Sequence, residues 1–332
     1  MAKIKGNFHM STKISFASFN LYNFQYKGKK TYPRKPVITE HDYCQQRHWI
    51  QEKLREIDSD VVVFQELWSK ECLDEILQLE EFKDYEAHYI NDDGWYQIAV
   101  ALIVRRPWEV DGPVSVIKDF PFQQLVKVDA KDGEDDELVV KIRRFSRSVI
   151  KACIKHQDAN TPPITLFGCH LKSKLASSAE NVDKPYQNAV GSAISTIRRT
   201  AEATALRMML IDHMKGANTP TVVIGDLNDG PLSNTLNIIT NQPKMTKNAR
   251  GGDKALYSTL FLQQLQSFRD VFYTHEHKNH LGVLDHILVS EEFFEHSTDA
   301  IWAHEETRIW NDHVGDQNPY SSDHGIIKST FK

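Results

Sequence analysis

The residues of this chain best able to do chemistry stand where apolar runs begin or stop. Asn20 follows Ile-Ser-Phe-Ala-Ser-Phe, Glu66 follows Val-Val-Val-Phe-Gln, and His170 follows Ile-Thr-Leu-Phe-Gly-Cys. Asp226 and Asn228 close Thr-Val-Val-Ile-Gly-Asp-Leu-Asn, Asp285 opens Asp-His-Ile-Leu-Val, and Asp323-His324 precedes Gly-Ile-Ile-Lys-Ser-Thr-Phe. Each has an ordinary structural reading when taken singly. Asn20 and the Asp226–Asn228 stretch read as turn residues, Glu66 as a first-turn carboxylate, and Asp323 as a cap. His170 reads as a satisfied histidine at a strand exit, and Asp285 as the partner of a neighbouring arginine. The conjunction reads differently.

Together these residues supply the parts of phosphoester hydrolysis. In-line attack on phosphorus needs a hard divalent cation held by oxygen ligands, an oriented water and a group that exchanges a proton. Glu66, Asn20 and Asp323 suit the cation, because Mg²⁺ prefers carboxylate and amide oxygens and keeps several waters. Asp226 beside Asn228 pairs a carboxylate with an amide, which can hold the attacking water. A histidine works near neutral pH if a partner fixes its tautomer. Asp285 is the natural partner of His324 and is expected to raise its pKa.

The elements that must position these groups alternate along the whole chain. Period-two or continuous apolar runs predict strands over 14–19, 60–64, 97–106, 149–155, 164–168, 221–224, 284–290 and 326–331. Thr39 with Asp42 resembles a capping box, and the helix it opens carries Ile50, Leu54 and Ile57 on one face. A further helix is expected over 71–81. The longest is expected over 188–215, with Val190, Ile194, Ile197, Ala201, Ala205, Met208 and Ile211 as its core stripe. Residues 27–37, 131–137 and 242–253 read as loops. No repeat or interdomain linker interrupts the pattern, which predicts one α/β domain over 11–332 behind an N-terminal extension, 1–10.

Composition narrows the class. At 332 residues, with 26% charged residues and a net charge of −5, the chain reads as a water-soluble globular protein rather than a nucleic-acid coat protein. Cys44, Cys72, Cys153 and Cys169 show no metal-type spacing and no disulfide framework, so a reducing compartment is expected. The polar start lacks the apolar core of a signal peptide. A cytoplasmic protein is therefore expected, with a trimmed secreted precursor as the alternative.

In order, Ser-Phe-Asn20-Leu, Phe-Gln-Glu66, Gly-Cys-His170-Leu, Gly-Asp226-Leu-Asn228, Leu-Asp285-His-Ile and Ser-Asp323-His324 resemble the endonuclease/exonuclease/phosphatase superfamily. The resemblance spans nearly the whole chain. It implies the deoxyribonuclease I-like fold, a four-layer α/β sandwich of two packed mixed β-sheets flanked by helices, and metal-dependent phosphoester cleavage. It further implies Glu66 as the main metal ligand, with Asn20 at the metal or phosphate, and Asp226 with Asn228 as the water-activating pair. His170 and His324 would flank the phosphate, with Asp285 orienting His324. Arg147, in Arg-Ser-Val-Ile just before a strand, is similar to the family's phosphate-contacting arginine. The implied cofactor is Mg²⁺, with Mn²⁺ or Ca²⁺ as alternatives.

Departures set the chain on one side of the superfamily. Exonuclease III-type repair enzymes carry an aspartate where this chain has Tyr22, and they lack a histidine matching His170. Inositol polyphosphate 5-phosphatases carry Trp-x-Asp-Arg where Val-Leu-Asp285-His286 stands. Around Trp95-Tyr96-Gln97 the sequence shows no counterpart of the carboxylate that orients the first histidine in deoxyribonuclease I-like enzymes, although Asp92 and Asp93 are near. His275, His277 and His280, near Glu276, offer a zinc site as a minor alternative, but the segment lacks helical periodicity or a defined scaffold to fix ligand geometry. It reads as a loop at the rim of the site, with Tyr273 and His275 near substrate.

The expected substrate is DNA or RNA, met by basic segments at 27–35, Arg143-Arg144-Arg147 and Lys172-Lys174. The alternatives are a phosphatase or sphingomyelinase-like lipid phosphodiesterase, for which the sequence offers no aromatic docking loop, and a non-catalytic scaffold. A monomer without stable membrane association is expected.

Overall fold

The computed structural model describes residues 12–89, 99–126, 139–245, 251–267, 272–278, 280–316 and 318–332. In chain order the first elements are β1 (Ile14–Phe24), α1 (Glu40–Ile57), β2 (Val61–Leu67), α2 (Lys70–Leu77), β3 (Tyr85–Tyr89) and β4 (Ala99–Arg105). There follow β5 (Trp108–Val110), β6 (Ser115–Asp119), a ribbon of β7 (Leu125–Val126) and β8 (Val139–Val140), β9 (Arg144–His156) and β10 (Ile164–His170). Next come α3 (Lys184–Met214), β11 (Thr221–Asp226), α4 (Asn234–Thr240), β12 (Tyr257–Ser258) and α5 (Thr259–Gln266). The ribbon of β13 (His275–His277) and β14 (His280–Gly282) leads into β15 (Asp285–Val289), β16 (His304–Trp310) and β17 (Ile326–Phe331).

Two mixed sheets result. One has the order β16-β17-β1-β2-β4-β3, the other β12-β15-β11-β10-β9-β5, with β6 also on β9. Period-two alternation explains how they stack. Val61 and Val63 of β2, Leu166 of β10 and Val222 and Ile224 of β11 share one core between the sheets. Their alternates face outward: Val62 and Phe64 pack with Ile50, Leu54 and Ile57 of α1, and Val223 and Phe167 pack with Ala205, Leu206 and Leu210 of α3. The layers are therefore helix, sheet, sheet, helix, the deoxyribonuclease I-like sandwich that the sequence implies.

The capping box forms as expected, since the Asp42 N–H donates to Thr39 Oγ1 at 3.1 Å. Other boundaries shift. The helix expected to reach residue 81 ends as α2 at Leu77, and a separate 3-10 turn covers Glu80–Phe82. Arg147 lies inside β9 rather than before it. The segment 131–137 lies outside the described residues, as do the first residues of the strand expected from 97 and part of the loop 242–253.

The expected core stripe of α3 is corrected. Ile194, Ile197 and Met208 are exposed, whereas Gly191, Ser195, Arg199, Ala201, Glu202, Ala203, Leu206 and Leu210 are buried. Ala201 and Ala205 of the expected stripe are buried as expected, and the polar members Arg199 and Glu202 bond to loops at the site. Hydrophobic spacing found only part of that face.

Candidate active site

Two matched irregularities deliver the first side chains. β1 and β2 run parallel in register from Phe16↔Val61 to Asn20↔Gln65, then slip before Phe24↔Leu67. Tyr22, Asn23 and Glu66 take left-handed φ values of 51°, 58° and 61° there. Such backbone costs a non-glycine residue about 1–2 kcal/mol. Local bonds offset the cost: the Asn23 N–H donates to Glu66 Oε2 at 2.9 Å, the Tyr22 N–H to Asn20 Oδ1 at 3.0 Å, and Trp68 Nε1 to Asn23 Oδ1 at 3.1 Å. Gln65 stays buried between the sheets, with Ser18 Oγ donating to its Oε1. The kink is what frees Glu66 from the outward-facing alternation.

The second sheet supplies a row. Strands β10 and β11 are parallel with His170 opposite Asp226, and β15 is antiparallel with Asp285 opposite Asp226. Gly225 permits this closeness: at φ 148° a Cβ there would lie 1.9 Å from the Cys169 carbonyl oxygen. Asn20 Nδ2 donates to Asp226 Oδ2 at 3.3 Å, which joins the two sheets at the site. His170 Nε2 lies 3.5 Å from the same oxygen. The Asn228 N–H donates to Asp226 Oδ1 at 2.8 Å, and its Nδ2 donates to the Leu171 carbonyl at 3.0 Å.

His324 arrives from the strand beside β1. Its Nδ1 bonds Asp285 Oδ2 at 2.8 Å, leaving Nε2 as its free corner. Ser322 fixes the approach, because its Oγ donates to the Asn20 carbonyl at 2.8 Å and accepts the His324 N–H at 3.0 Å. Thr274 Oγ1 accepts the Leu284 and Asp285 N–H groups, holding the start of β15.

Burial and charge set opposite states on the two histidines. Burial alone would push His324 down, but Asp285, then Asp226 and Asp323, outweigh it and hold the ring charged well above its ordinary range. Burial pushes His170 well below that range, and Arg147 and His324 add to the effect, so it is neutral. Asp226 is pushed up to about 7, chiefly by burial, with Asp285 and Glu66 adding to it against His324. Burial likewise raises Glu66, while His324, Arg147 and Asn20 work against it.

All the residues expected from the sequence converge. Arg147, half-buried, donates through Nη1 to the same Leu171 carbonyl that Asn228 holds, at 3.1 Å, and its charge acts on both Glu66 and His170. Asp323 is exposed at the edge, and its charge reaches Glu66 and His324. Among the described residues His170 Nδ1 has no hydrogen-bond partner; Asp92 and Asp93 lie outside them.

Sequence reasoning missed the supports on α3. Glu202 is fully buried and accepts the Ser146 and Lys172 N–H groups at 2.7 Å each, which ties β9 beside Arg147 to the loop after His170. Arg199 Nε donates to Asp229 Oδ2 at 3.2 Å and its Nη1 to the Lys172 carbonyl at 3.3 Å. The available signal was two charged residues, Arg199 and Glu202, in or beside the alanine-rich stretch 201–205.

Buried carboxylates with too few cations around them fit a divalent ion. Glu66 and Asp226 are both held up by burial, and Asp285 Oδ1 is buried without a partner. Glu66, Asn20 and Asp323 offer the hard oxygen donors such an ion takes. A separate cavity of about 210 Å³ lies behind the row, lined by Leu236, Leu256, His286 and Leu288. His286 alternates with Asp285 and so faces that side, where its Nε2 bonds the Asp229 carbonyl at 2.9 Å.

Residues 17–324 match the family model described as Endonuclease/Exonuclease/phosphatase family. Among solved structures, a humanized D. rerio TDP2 with 14 mutations is 15% identical, covers 96% of this chain and 99% of its own, and superposes with a TM-score of 0.57. An endonuclease/exonuclease/phosphatase from Bacteroides vulgatus is 14% identical over 97% of this chain and 99% of its own, with a TM-score of 0.57. The human Nocturnin catalytic domain with bound sulfate anion is 13% identical over 96% and 94%, with a TM-score of 0.55. These likenesses are of fold. No curated protein matches the sequence.

Proposed function

The chain belongs to the Endonuclease/Exonuclease/phosphatase family of phosphoester hydrolases, and we propose that it is a divalent-metal-dependent phosphodiesterase that cleaves polynucleotides by in-line attack of water. The observation that carries this reading is the row His170, Asp226, Asp285 along three strand ends, met from the other sheet by His324 at 2.8 Å from Asp285. Asp226, with its carboxyl at about 7, takes the proton of the attacking water, and Asn228 orients that water. Charged His324 binds a phosphate oxygen through Nε2 and supports the charge that develops there. Neutral His170 and Arg147 take the remaining oxygens. Glu66, Asn20 and Asp323 would hold the divalent ion, which when bound would offset negative charge on the phosphoryl group.

The polynucleotide preference rests on the rim. Tyr22 and Tyr32 are 45% and 40% exposed, and the charge of Glu66 acts on both hydroxyls, so two rings suited to base stacking flank the site. Lys30, Arg34 and Lys35 are exposed on the loop that carries Tyr32. The basic track expected from the sequence is thinner than its composition. Lys27 pairs with Glu40, Lys29 with Glu71, Arg144 with Asp119 and Lys174 with Asp229.

One observation favours a lipid phosphodiesterase as the second reading. Leu175, Leu232 and Leu281 are 78%, 79% and 58% exposed in the segments after β10 and β11 and in the ribbon before β15, next to the strands that form the catalytic row. A panel of plasmid DNA, single-stranded RNA, sphingomyelin and bis-p-nitrophenyl phosphate separates the two. Polynucleotide cleavage that falls steeply with salt is expected; preferred turnover of sphingomyelin would select the lipid reading. EDTA should abolish activity and Mg²⁺ or Mn²⁺ restore it, and cleavage that persists after chelation sinks the metal dependence.

A further inference from the structure

The histidine-rich segment before β15 is a β-ribbon, and the ribbon divides its histidines. His277 pairs with His280 across β13 and β14, while His275 forms a β-bridge with His324 and its ring lies 5.0 Å from the His324 ring. His275, Asp323 and His324 each offer a ligand atom, all within 4.8 Å of one another. We propose that these three residues form a binding site for a borderline transition ion such as Zn²⁺, distinguished from the oxygen-ligand site at Glu66 by its two imidazoles and sharing only Asp323 with it, and that its occupation inhibits the enzyme.

Two imidazoles and one carboxylate are donors for Zn²⁺ rather than for Mg²⁺. Bonds of about 2.0–2.1 Å in a tetrahedron place ligand atoms about 3.3 Å apart, so modest side-chain rotations close the site. The support that zinc histidines need is already built. Asp285 holds His324 Nδ1 at 2.8 Å and leaves Nε2 as the nitrogen for a metal, the arrangement of a carboxylate–histidine–metal triad. The His275 and Asp323 ends are reachable, His275 being half-buried and Asp323 exposed. Three protein ligands leave a fourth position for water or a phosphate oxygen. When the ion binds, the Nε2 lone pair goes to the metal and any proton on it to solvent, which removes His324 from contact with the substrate phosphate.

The inhibition rests on the proposed phosphodiesterase reading; the binding does not. The test therefore has two arms. In calorimetry on the full chain, stripped with EDTA and kept in excess Mg²⁺, Zn²⁺ is expected to bind wild type at one site. The affinity should fall at least tenfold in both His275→Ala and His275→Gln. Equal Zn²⁺ affinity in wild type and both variants overturns the proposal and leaves any ion to Asp226, Asp285 and His324. In the second arm, hydrolysis of bis-p-nitrophenyl phosphate with Mg²⁺ is titrated with Zn²⁺, each variant scaled to its own rate. The half-inhibitory Zn²⁺ concentration should rise at least tenfold in the His275 variants, and an unchanged value overturns the inhibitory role. A protein with no hydrolysis at all fails the phosphodiesterase reading, while the calorimetry still decides the metal site.

Discussion

Opposite charge states on two nearby histidines are the sharpest chemical feature of the molecule. Both are buried, and the difference lies in their partners. His324 has the Asp285 carboxylate on Nδ1, whereas His170 has no partner on Nδ1 among the described residues and feels the charge of Arg147. Environments that push titratable groups apart assign acid and base roles. On the proposed mechanism, His324→Ala and Asp226→Asn should each lower kcat by about 10²- to 10⁴-fold, with urea unfolding midpoints showing a folded protein. Near-wild-type turnover in either variant would strip that residue of its proposed role. The identities of His170, Asp226, Asp285 and His324 were legible from the sequence, because each stands at or beside a strand end. The neutrality of His170 was not, since it depends on burial between sheets whose strands are far apart in the chain.

At the scale of elements, the site depends on α3 as much as on the strands that present it. Glu202, itself fully buried, collects two backbone N–H groups from separate segments. An amide in its place would direct an NH₂ group at one of those donors. Glu202→Gln should therefore lose about 1–3 kcal/mol of stability and also slow turnover, because the Arg147 strand and the His170 loop share this anchor. Urea unfolding and kcat measured on one preparation check both effects; a variant unchanged in both would make Glu202 a bystander. Helical periodicity marked this helix correctly and put Ala201 and Ala205 in the core, but wrongly added Ile194, Ile197 and Met208. A three- to four-residue apolar step assumes a greasy interface, and here the buried face sets Ser195, Arg199 and Glu202 beside Ala203, Leu206 and Leu210.

Across the whole molecule, stability should depend on pH through histidines buried in their neutral form. His304 is pushed down to about 4 by burial, with Nε2 against Thr307 Oγ1 at 2.8 Å and Nδ1 against Gln266 Nε2 at 3.1 Å. The unfolded histidine binds a proton near pH 6.5 and the folded one only near 4, so the unfolded state holds more protons between these values. Stability is therefore full above 6.5 and falls as the pH drops toward 4, by about 3 kcal/mol from this one group. His286 and His313, also lowered chiefly by burial, act in the same direction. Denaturant midpoints at pH 7.5 and 4.5 should differ less in His304→Gln than in wild type. An equal difference would assign the acid sensitivity elsewhere.

Strands β1, β2, β4, β9, β10, β11, β15 and β17, helices α1 to α3 and the residue types at the site were legible in the sequence by itself, and the family resemblance implied the sandwich class. Alternation within a strand and the residue that ends it are local properties of the chain. Only the tertiary structure decided how those ends meet. The register of β10, β11 and β15 aligns His170, Asp226 and Asp285, and the paired kinks in β1 and β2 turn Glu66 into the site. The ribbon carries His275 to His324, and α3 anchors the loops with Glu202 and Arg199. These are contacts between segments tens to hundreds of residues apart, and their geometry depends on how the sheets pack, which no local pattern encodes.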